Sequence, residues 1–419
     1  MQEESAAETS PLILICPPGT ATLTRLYPHS FHRDMETTHH GEDASPDNPP
    51  RQQKSGNTDE QTIALTKARL AIDEVDARIV ELLKKRAEWV HEVGRIKKEK
   101  NSPIFVPERE TVLLNKLNRL NAGVLPEASL QAIYREIISC SFFLEGGLTI
   151  AYLGPKGTWS HQAALKQFGK SCELIPCQSF KDVFDMVDRG KAQYGVVPVE
   201  NSSEGSVTAV MDLFVTSPLK ICAQINLNIR NSLMADIPRE HIRILYSHPQ
   251  VLGQTRNWIQ RHFPNAELVE TSSTTKASIL AKENAAMGAA SLGCPLAAEL
   301  FGLNILEEDV QDQSCNTTRF AVIGRQETQP SGRDRTSLLI RIQHKPGTLA
   351  EVVNCFQRHN NNLIRIESRP SKVINWEYVF YIDAAGHIQE SPLRETLPEL
   401  EQHCSMLKIL GSYADTDVI

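Results

Sequence analysis

Leu148–Leu165, LTIAYLGPKGTWSHQAAL, decides how the chain is to be read. An apolar run ends at the glycine loop GPKG and gives way to a stretch with helical character, so the segment predicts a strand, a loop and a helix in that order. This is the opening unit of an α/β domain. Gly146-Gly147 marks the change of texture before it. Strand-like runs at Tyr194–Val199, Ile242–Ser247 and Phe320–Gly324 then alternate with helical ones over 148–325, and the polar QETQPSGRD predicts a linker over 326–335.

Upstream, Leu65, Ala68, Ile72, Val75, Ile79, Leu82, Arg86, Trp89, Val93 and Ile96 recur every three or four residues. They predict one long amphipathic helix with a coiled-coil-like seam. Two shorter helical patterns follow, around Arg109–Leu120 and Leu130–Leu144, completing an all-α domain over 61–146. One long helix and two short ones cannot bury such a seam alone, so an intertwined helical dimer is expected. Residues 1–60 are rich in Ser, Thr, Pro, His, Asp and Glu, lack a period and read as a disordered tail, with His39 and His40 as solvated residues and Met35 as an alternative start.

Downstream, 336–419 reads as strand (Ser337–Gln343), helix (Thr348–His359), strand (Leu363–Ser368), strand (Glu377–Asp383), helix (Pro392–Cys404) and strand (Met406–Tyr413). That is an α+β sandwich of βαββαβ order. The expected fold class is therefore multidomain, with all-α, α/β and α+β modules, in line with the 419-residue length.

Composition narrows the function. Hydrophobic content of 41% with 23% charged residues is that of an ordinary soluble protein, and no apolar run reaches the roughly 18 residues that a membrane span needs. A net charge of −7 without a basic, aromatic-interleaved stripe argues against nucleic acid. Nine cysteines without ligand spacing point to reduced thiols in a cytoplasm, with no disulfide framework and no metal. The N-terminus carries ten acids against four bases in its first 60 residues, unlike a secretory or transit signal.

Arg86 stands at a seam position of the long helix, where an unpaired guanidinium is costly and calls for an anion. Lys97, eleven residues on, lies only ~20° around the helix from it, so the two cations share a face. Arg69 lies roughly 100° off that face and would serve a different pocket, such as a partner subunit's. A solvated charged face is the plainer alternative.

The stretch ARLAIDEVDARIVELLKKRAEWVHEVGRIK, with PERE and YREIISCS after it, resembles the all-helical class of chorismate mutase over 62–146. The resemblance implies a site without cofactor that holds the chorismate dianion. It casts Arg69 as the arginine donated across a dimer, and Arg86 and Lys97 as cations on the carboxylates and ether oxygen. Arg109 and Glu110 become the polar pair of PERE, and Ser141 lines the pocket. Glu145 takes a position where some members have Gln. A glutamate there donates to the ether oxygen only when protonated, so a neutral Glu145 is expected. Val106 replaces an Asp of some members. A pericyclic rearrangement needs only a compact conformer and stabilisation of charge growing on the ether oxygen, which cations on rigid helices supply.

In the α/β segment, GPKGTWSHQAA, VVPVENSSEGSV, SHPQVLGQ and NTTRF (Asn316–Phe320) appear in the order found in prephenate dehydratases. Taken alone, the loop reads equally as a phosphate cradle, the ENSS as a helix cap, and NTTRF as polar residues leading into a strand. The resemblance implies a two-lobed fold like that of periplasmic binding proteins. In its cleft, Thr318 assists departure of prephenate's ring hydroxyl as the carboxylate leaves as CO2. Thr158, Glu200, Asn201, Ser202, Ser247 and Gln254 would orient substrate or relay a proton, and Arg319 would bind a carboxylate or lock the lobe. Asn231 stands where many relatives have His.

The C-terminal KPGTLAEVV and IESRP resemble the phenylalanine-sensing ACT domains of that family, although Thr348 replaces a usual Ala. This implies an effector site for L-phenylalanine from Gly347, Thr348, Leu349, Glu367, Ser368, Arg369 and Pro370, closed by a neighbouring subunit. The expected whole is a homodimeric or higher bifunctional enzyme making phenylpyruvate from chorismate by way of prephenate. Arogenate as the dehydratase substrate and a non-catalytic ligand sensor are the alternatives.

Overall fold

A computed structural model describes residues 56–343, 345–370 and 378–416. The expectations for the N-terminal tail, with Met35, His39 and His40, lie outside the described residues. The chain divides into two compact units, residues 1–71 and 72–419. In the first, the described residues belong to the start of helix α1 (Gly56–Glu99), where Thr66 Oγ1 donates to Thr62 O and Ile63, Leu65, Arg69 and Leu70 are exposed.

In the second unit α1 continues and is followed by α2 (Pro107–Asn121) and α3 (Glu127–Leu144). Pro107 takes the first helical position of α2, where its missing N–H costs nothing, and Glu108 and Glu110 lie in the first turn. Gly146 and Gly147, both at positive φ, end α3, with Gly147 N–H bonding Phe142 O at 2.9 Å and Gly146 N–H bonding Phe143 O at 3.2 Å. Along α1 the expected seam is apolar but uncovered within the chain: Ile72, Val75, Ile79, Leu82 and Trp89 are all exposed, Trp89 by 73%.

The α/β domain has two lobes. The chain runs β1 (Thr149–Leu153), α4 (Trp159–Phe168), β2 (Glu173–Cys177), α5 (Phe180–Asp188), β3 (Tyr194–Asn201), β4 (Gly205–Ser206), α6 (Thr208–Thr216) and β5 (Lys220–Asn228). It then crosses to β6 (Ser232–Ala235), β7 (Ile244–Ser247), α7 (Pro249–Gln254), α8 (Arg256–His262), β8 (Glu267–Glu270), α9 (Thr274–Glu283), β9 (Ala289–Gly293), α10 (Leu296–Phe301) and β10 (Asn304–Glu307). Strand β11 (Thr317–Gly324) returns to the first lobe. The sheets are ordered β2-β1-β3-β11-β5 and β10-β6-β9-β7-β8. Two crossings between the sheets leave a cleft, and β11 brings Thr318 to it.

The last domain comprises β12 (Asp334–Ile342), α11 (Thr348–Arg358), β13 (Leu363–Pro370), β14 (Tyr378–Ala385), α12 (Leu393–His403) and β15 (Cys404–Ala414), with sheet order β13-β14-β12-β15. It does not hang on a linker. Gln326 Nε2 donates to Phe105 O, Thr328 is buried, and Asp334 already starts β12, so the polar 326–335 segment is tied down at both ends. Leu339, Val379, Tyr381, Leu410 and Tyr413 share one apolar cluster with Val183, Phe214 and Ile323 of the first lobe. At Gly411 a Cβ would lie 2.1 Å from Ile221 O, so only glycine lets β15 approach β5 this closely. Lys408 Nζ donates to Phe214 O and Ser217 O, capping the carboxyl end of α6.

Two candidate active sites and a third cavity

The helical domain holds a cavity of about 360 Å³ lined by Arg86, Lys97, Val106, Arg109, Glu110, Ser141 and Glu145. Arg86 Nη1 donates to Ser141 Oγ at 2.5 Å, and Ser141 Oγ donates to Ile137 O at 2.8 Å, so the guanidinium is fixed by a hydroxyl that is itself fixed. Lys97 Nζ donates to Ile104 O and to Glu145 Oε2, each at 2.7 Å. The shared face of Arg86 and Lys97 is therefore as expected. Glu145 lines the same cavity, with one of its carboxyl oxygens accepting from that ammonium.

Gly94 carries no signal of its own in the apolar period of α1. In the structure a Cβ there would lie 3.0 Å from Glu145 Cα, so Gly94 is what lets α1 and the end of α3 close on the cavity. Arg135 was also missed. It pairs with Glu110 at 2.9 Å from behind the cavity wall.

The cleft of the α/β domain holds a second cavity, about 370 Å³, whose lining includes Trp159, Ser160, Asn201, Glu204, Ser206, Gln254, Thr318 and Phe320. Thr318 is 8% exposed, and its Oγ1 accepts from Asn201 Nδ2 at 2.8 Å. The same Nδ2 donates to Asn316 Oδ1 at 2.8 Å, and Asn201 Oδ1 accepts from Ser203 N at 2.9 Å and Glu204 N at 3.2 Å. Asn201 is thus locked in one orientation. Because it donates to Thr318, the threonine O–H is left to donate elsewhere. Gln254 Nε2 reaches Glu204 Oε1 at 3.2 Å, and buried Asn231 Nδ2 approaches Gln254 Oε1 at 3.5 Å.

Five expected cleft residues fall elsewhere. Neighbours along a strand face opposite sides, so Arg319 and its cross-strand partner Glu200 point away from Thr318 and Asn201. Arg319 pairs with Glu200 at 2.6 Å and with Asp383 of the last domain at 3.0 Å. Of the two roles left open for it, the structure supports the lock. Burial works against its charge, but Asp383 and Glu200 outweigh that and hold the guanidinium more firmly protonated than usual. Breaking a buried pair of this kind costs about 3–5 kcal/mol. Ser247 is fully buried and donates to Leu292 O, Ser202 bridges Cys315 O and Thr317 N, and Thr158 caps α4 through His161 N. These three hydroxyls satisfy backbone; Trp159 and Ser160, just after the cap, are the ones that line the cleft.

A third cavity, about 320 Å³, includes Gln343, Lys345, Gly347, Leu349, Tyr378 and Phe380 in its lining. Thr348 starts α11, with Oγ1 on Lys345 O. Glu367 and Arg369 are not part of this cavity: Glu367 bonds Ser206 and Arg365, and Arg369 Nη1 donates to Thr208 Oγ1 at 2.9 Å. Ser368 and Pro370 alternate with them on the exposed side of β13. The two effector motifs therefore do not meet in one cavity within a single chain. Among the described residues one group, Cys355, Glu399 and His403, has metal-ligating atoms within 4.8 Å of one another. Arg358 already supplies its cation, donating to Cys355 Sγ and pairing with Glu399.

Models of known families match in the same order as these domains: chorismate mutase type II at 68–146, prephenate dehydratase at 150–328 and the ACT domain at 336–402. A bifunctional chorismate mutase/prephenate dehydratase from Aquifex aeolicus is 42% identical over 354 residues, 83% of this chain and 97% of the relative. The chain belongs to the bifunctional chorismate mutase/prephenate dehydratase family. Among solved structures, the prephenate dehydratase of Arthrobacter aurescens in complex with L-Phe matches 64% of this chain and 91% of its own, with TM-score 0.60 and 33% identity. GqqA, described as a novel type of quorum-quenching acylase, matches 64% and 98% with TM-score 0.59 and 28% identity. The helical module is the mutase domain, the two-lobed module the dehydratase domain, and the last one the ACT domain. No helix among the described residues is long and apolar enough to cross a membrane.

Proposed function

We propose that the two reactions of the family run in the two separate cavities. In the mutase cavity, Arg86, Arg109 and Lys97 bind the chorismate carboxylates and ether oxygen, and Ser141 fixes Arg86. Lys97 leaves Glu145 to meet the charge that grows as the ether bond breaks, an electrostatic role that needs neither nucleophile nor cofactor. The exposed seam of α1 is the dimer surface, and Arg69 serves the partner's cavity.

In the cleft, Thr318 donates its hydroxyl hydrogen bond to the departing ring hydroxyl of prephenate while the ring carboxylate leaves as CO2 and the ring becomes aromatic. The observation that carries this reading is the Asn201 amide, which occupies Thr318 Oγ1 as an acceptor and frees its proton for donation. An acylase reading on the GqqA likeness is not favoured: a threonine nucleophile needs a base to accept its proton, and the group in contact with Thr318 Oγ1 is the Asn201 amide, which donates to it. L-Phenylalanine occupies the cavity at Gly347 and Leu349, completed by Glu367–Pro370 of a second subunit. The free cysteines Cys140, Cys172, Cys177, Cys222, Cys294, Cys315, Cys355 and Cys404 fit a reducing cytoplasm. Purified protein given chorismate should release prephenate and then phenylpyruvate. Prephenate without phenylpyruvate would refute the cleft assignment, and no prephenate at all would refute the mutase one.

A further inference from the structure

One acid of the mutase cavity is held from outside the mutase domain. Glu110 is 8% exposed, and burial pushes its carboxyl up while Arg135 and Lys97 pull it down. Its Oε2 accepts from Arg135 Nη1 at 2.9 Å, whereas Oε1 has no hydrogen-bond partner among the described residues. Arg135 Nη1 donates as well to the main-chain oxygen of Gln167, and Gln167 Nε2 approaches Glu110 Oε2 at 3.4 Å. Gln167 is in the last turn of α4, a helix of the dehydratase domain. Carbonyls in a final turn lack intrahelical partners, and the helix end carries partial negative charge, so a guanidinium is well matched to it.

The junction between these helices is close. Ser171 N–H bonds Ser139 Oγ at 2.9 Å and Lys170 N–H bonds Glu136 Oε2 at 3.2 Å. At Gly169, with φ +68°, a Cβ would lie 2.5 Å from Ser139 Cβ.

We propose that Arg135 is a positioning residue of the mutase reaction: anchored on the carboxyl end of α4, it orients the Glu110 carboxylate and balances its charge, leaving Oε1 to accept a hydrogen bond from a substrate hydroxyl. The mutase site then depends on the dehydratase domain. The inference rests on the mutase reading of this cavity. Without Arg135, Glu110 has two poor options. Ionised, it sets an unbalanced charge beside a dianionic substrate. Protonated, it loses the charge-assisted acceptor. The other charged or titratable groups around it are Lys97 on α1, Arg86, Arg109 and Glu145 across the cavity, and Glu136 and Cys172 near the α4 junction.

The test measures mutase kcat/KM against pH in full-length Arg135→Met, Arg135→Lys and Glu110→Gln variants, with dehydratase turnover of prephenate as the check on folding. Arg135→Met should lose at least about tenfold in mutase kcat/KM near neutrality. Its acid-side fall should move to higher pH, because the carboxyl without its guanidinium keeps the proton longer, and Arg135→Lys should restore part of both. If Arg135→Met proves unfolded, Arg135→Lys decides through the same acid-side shift, in smaller measure. A parent-like pH profile and kcat/KM in a folded Arg135 variant, alongside an impaired Glu110→Gln, overturns this inference alone. Parent-like mutase activity in Glu110→Gln, whose amide oxygen still accepts, removes the need for a balanced carboxylate and overturns the inference too, whereas the reading of the cavity falls only if the parent makes no prephenate.

Discussion

Replacing Thr318 probes the cleft most sharply, because its surroundings separate chemistry from folding. Thr318→Val keeps the shape and removes the hydroxyl. Asn201 Nδ2 then loses one acceptor but keeps Asn316 Oδ1 at 2.8 Å, so no buried amide is stranded. The stability change should stay at about 1 kcal/mol, the net worth of one hydrogen bond. The catalytic effect should be far larger. A donor aimed at charge that develops only in the transition state contributes roughly 2.7–4 kcal/mol, or about 10²–10³ in kcat. Thr318→Ser restores the donor and should recover most of the rate. Asn201→Asp makes the complementary test: a carboxylate would accept the Thr318 proton where the amide donates, and should depress kcat comparably with no loss of the hydroxyl itself. The assay is phenylpyruvate formation from prephenate, with mutase turnover as the internal control. A Thr318→Val enzyme within about threefold of the parent kcat would refute the donor role.

Three further outcomes follow from other parts of the molecule. Mixing inactive Arg69→Ala and Arg86→Ala subunits should restore part of the mutase activity in the heterodimer; none after verified subunit exchange would refute donation across the dimer. Gly94→Ala should lower mutase activity about tenfold or more by pushing Glu145 off its position, with the dehydratase unaffected, since small displacements of positioned groups are costly; unchanged mutase kinetics would show that the close contact is not functional. Leu349→Asp should raise the phenylalanine concentration needed for inhibition by at least about tenfold, because a carboxylate in that cavity repels the effector's own; unaltered inhibition would put the effector elsewhere.

The long helix was legible because its apolar period is unbroken, and Arg86 with Lys97 because helical geometry alone puts them on one face. The strand at β11 was only half read. Starting it at Phe320 hid the fact that Thr318 and Arg319 lie within it, and period-two alternation must then send them to opposite sides. Extending that strand by three residues would have separated the cleft pair Thr318 and Asn201 from the lock formed by Arg319 and Glu200. Gly94 and Arg135 carried no local signal, since each acts through a contact with a residue distant in sequence. The same holds for the ACT domain: nothing in its own pattern reveals that Tyr381 and Leu410 complete the core of the first lobe. Deleting everything from about residue 330 onward should therefore expose that core and leave Arg319 without Asp383.

The central claim is that two separate cavities carry two consecutive reactions, and one crossed experiment tests it. Arg86→Ala and Thr318→Val enzymes are each given chorismate and, separately, prephenate, and both products are followed. Arg86→Ala should leave chorismate untouched yet convert prephenate to phenylpyruvate at the parent rate, while Thr318→Val should accumulate prephenate from chorismate and convert either supply onward about 10²–10³-fold more slowly. Loss of both activities in either correctly folded variant would contradict the account.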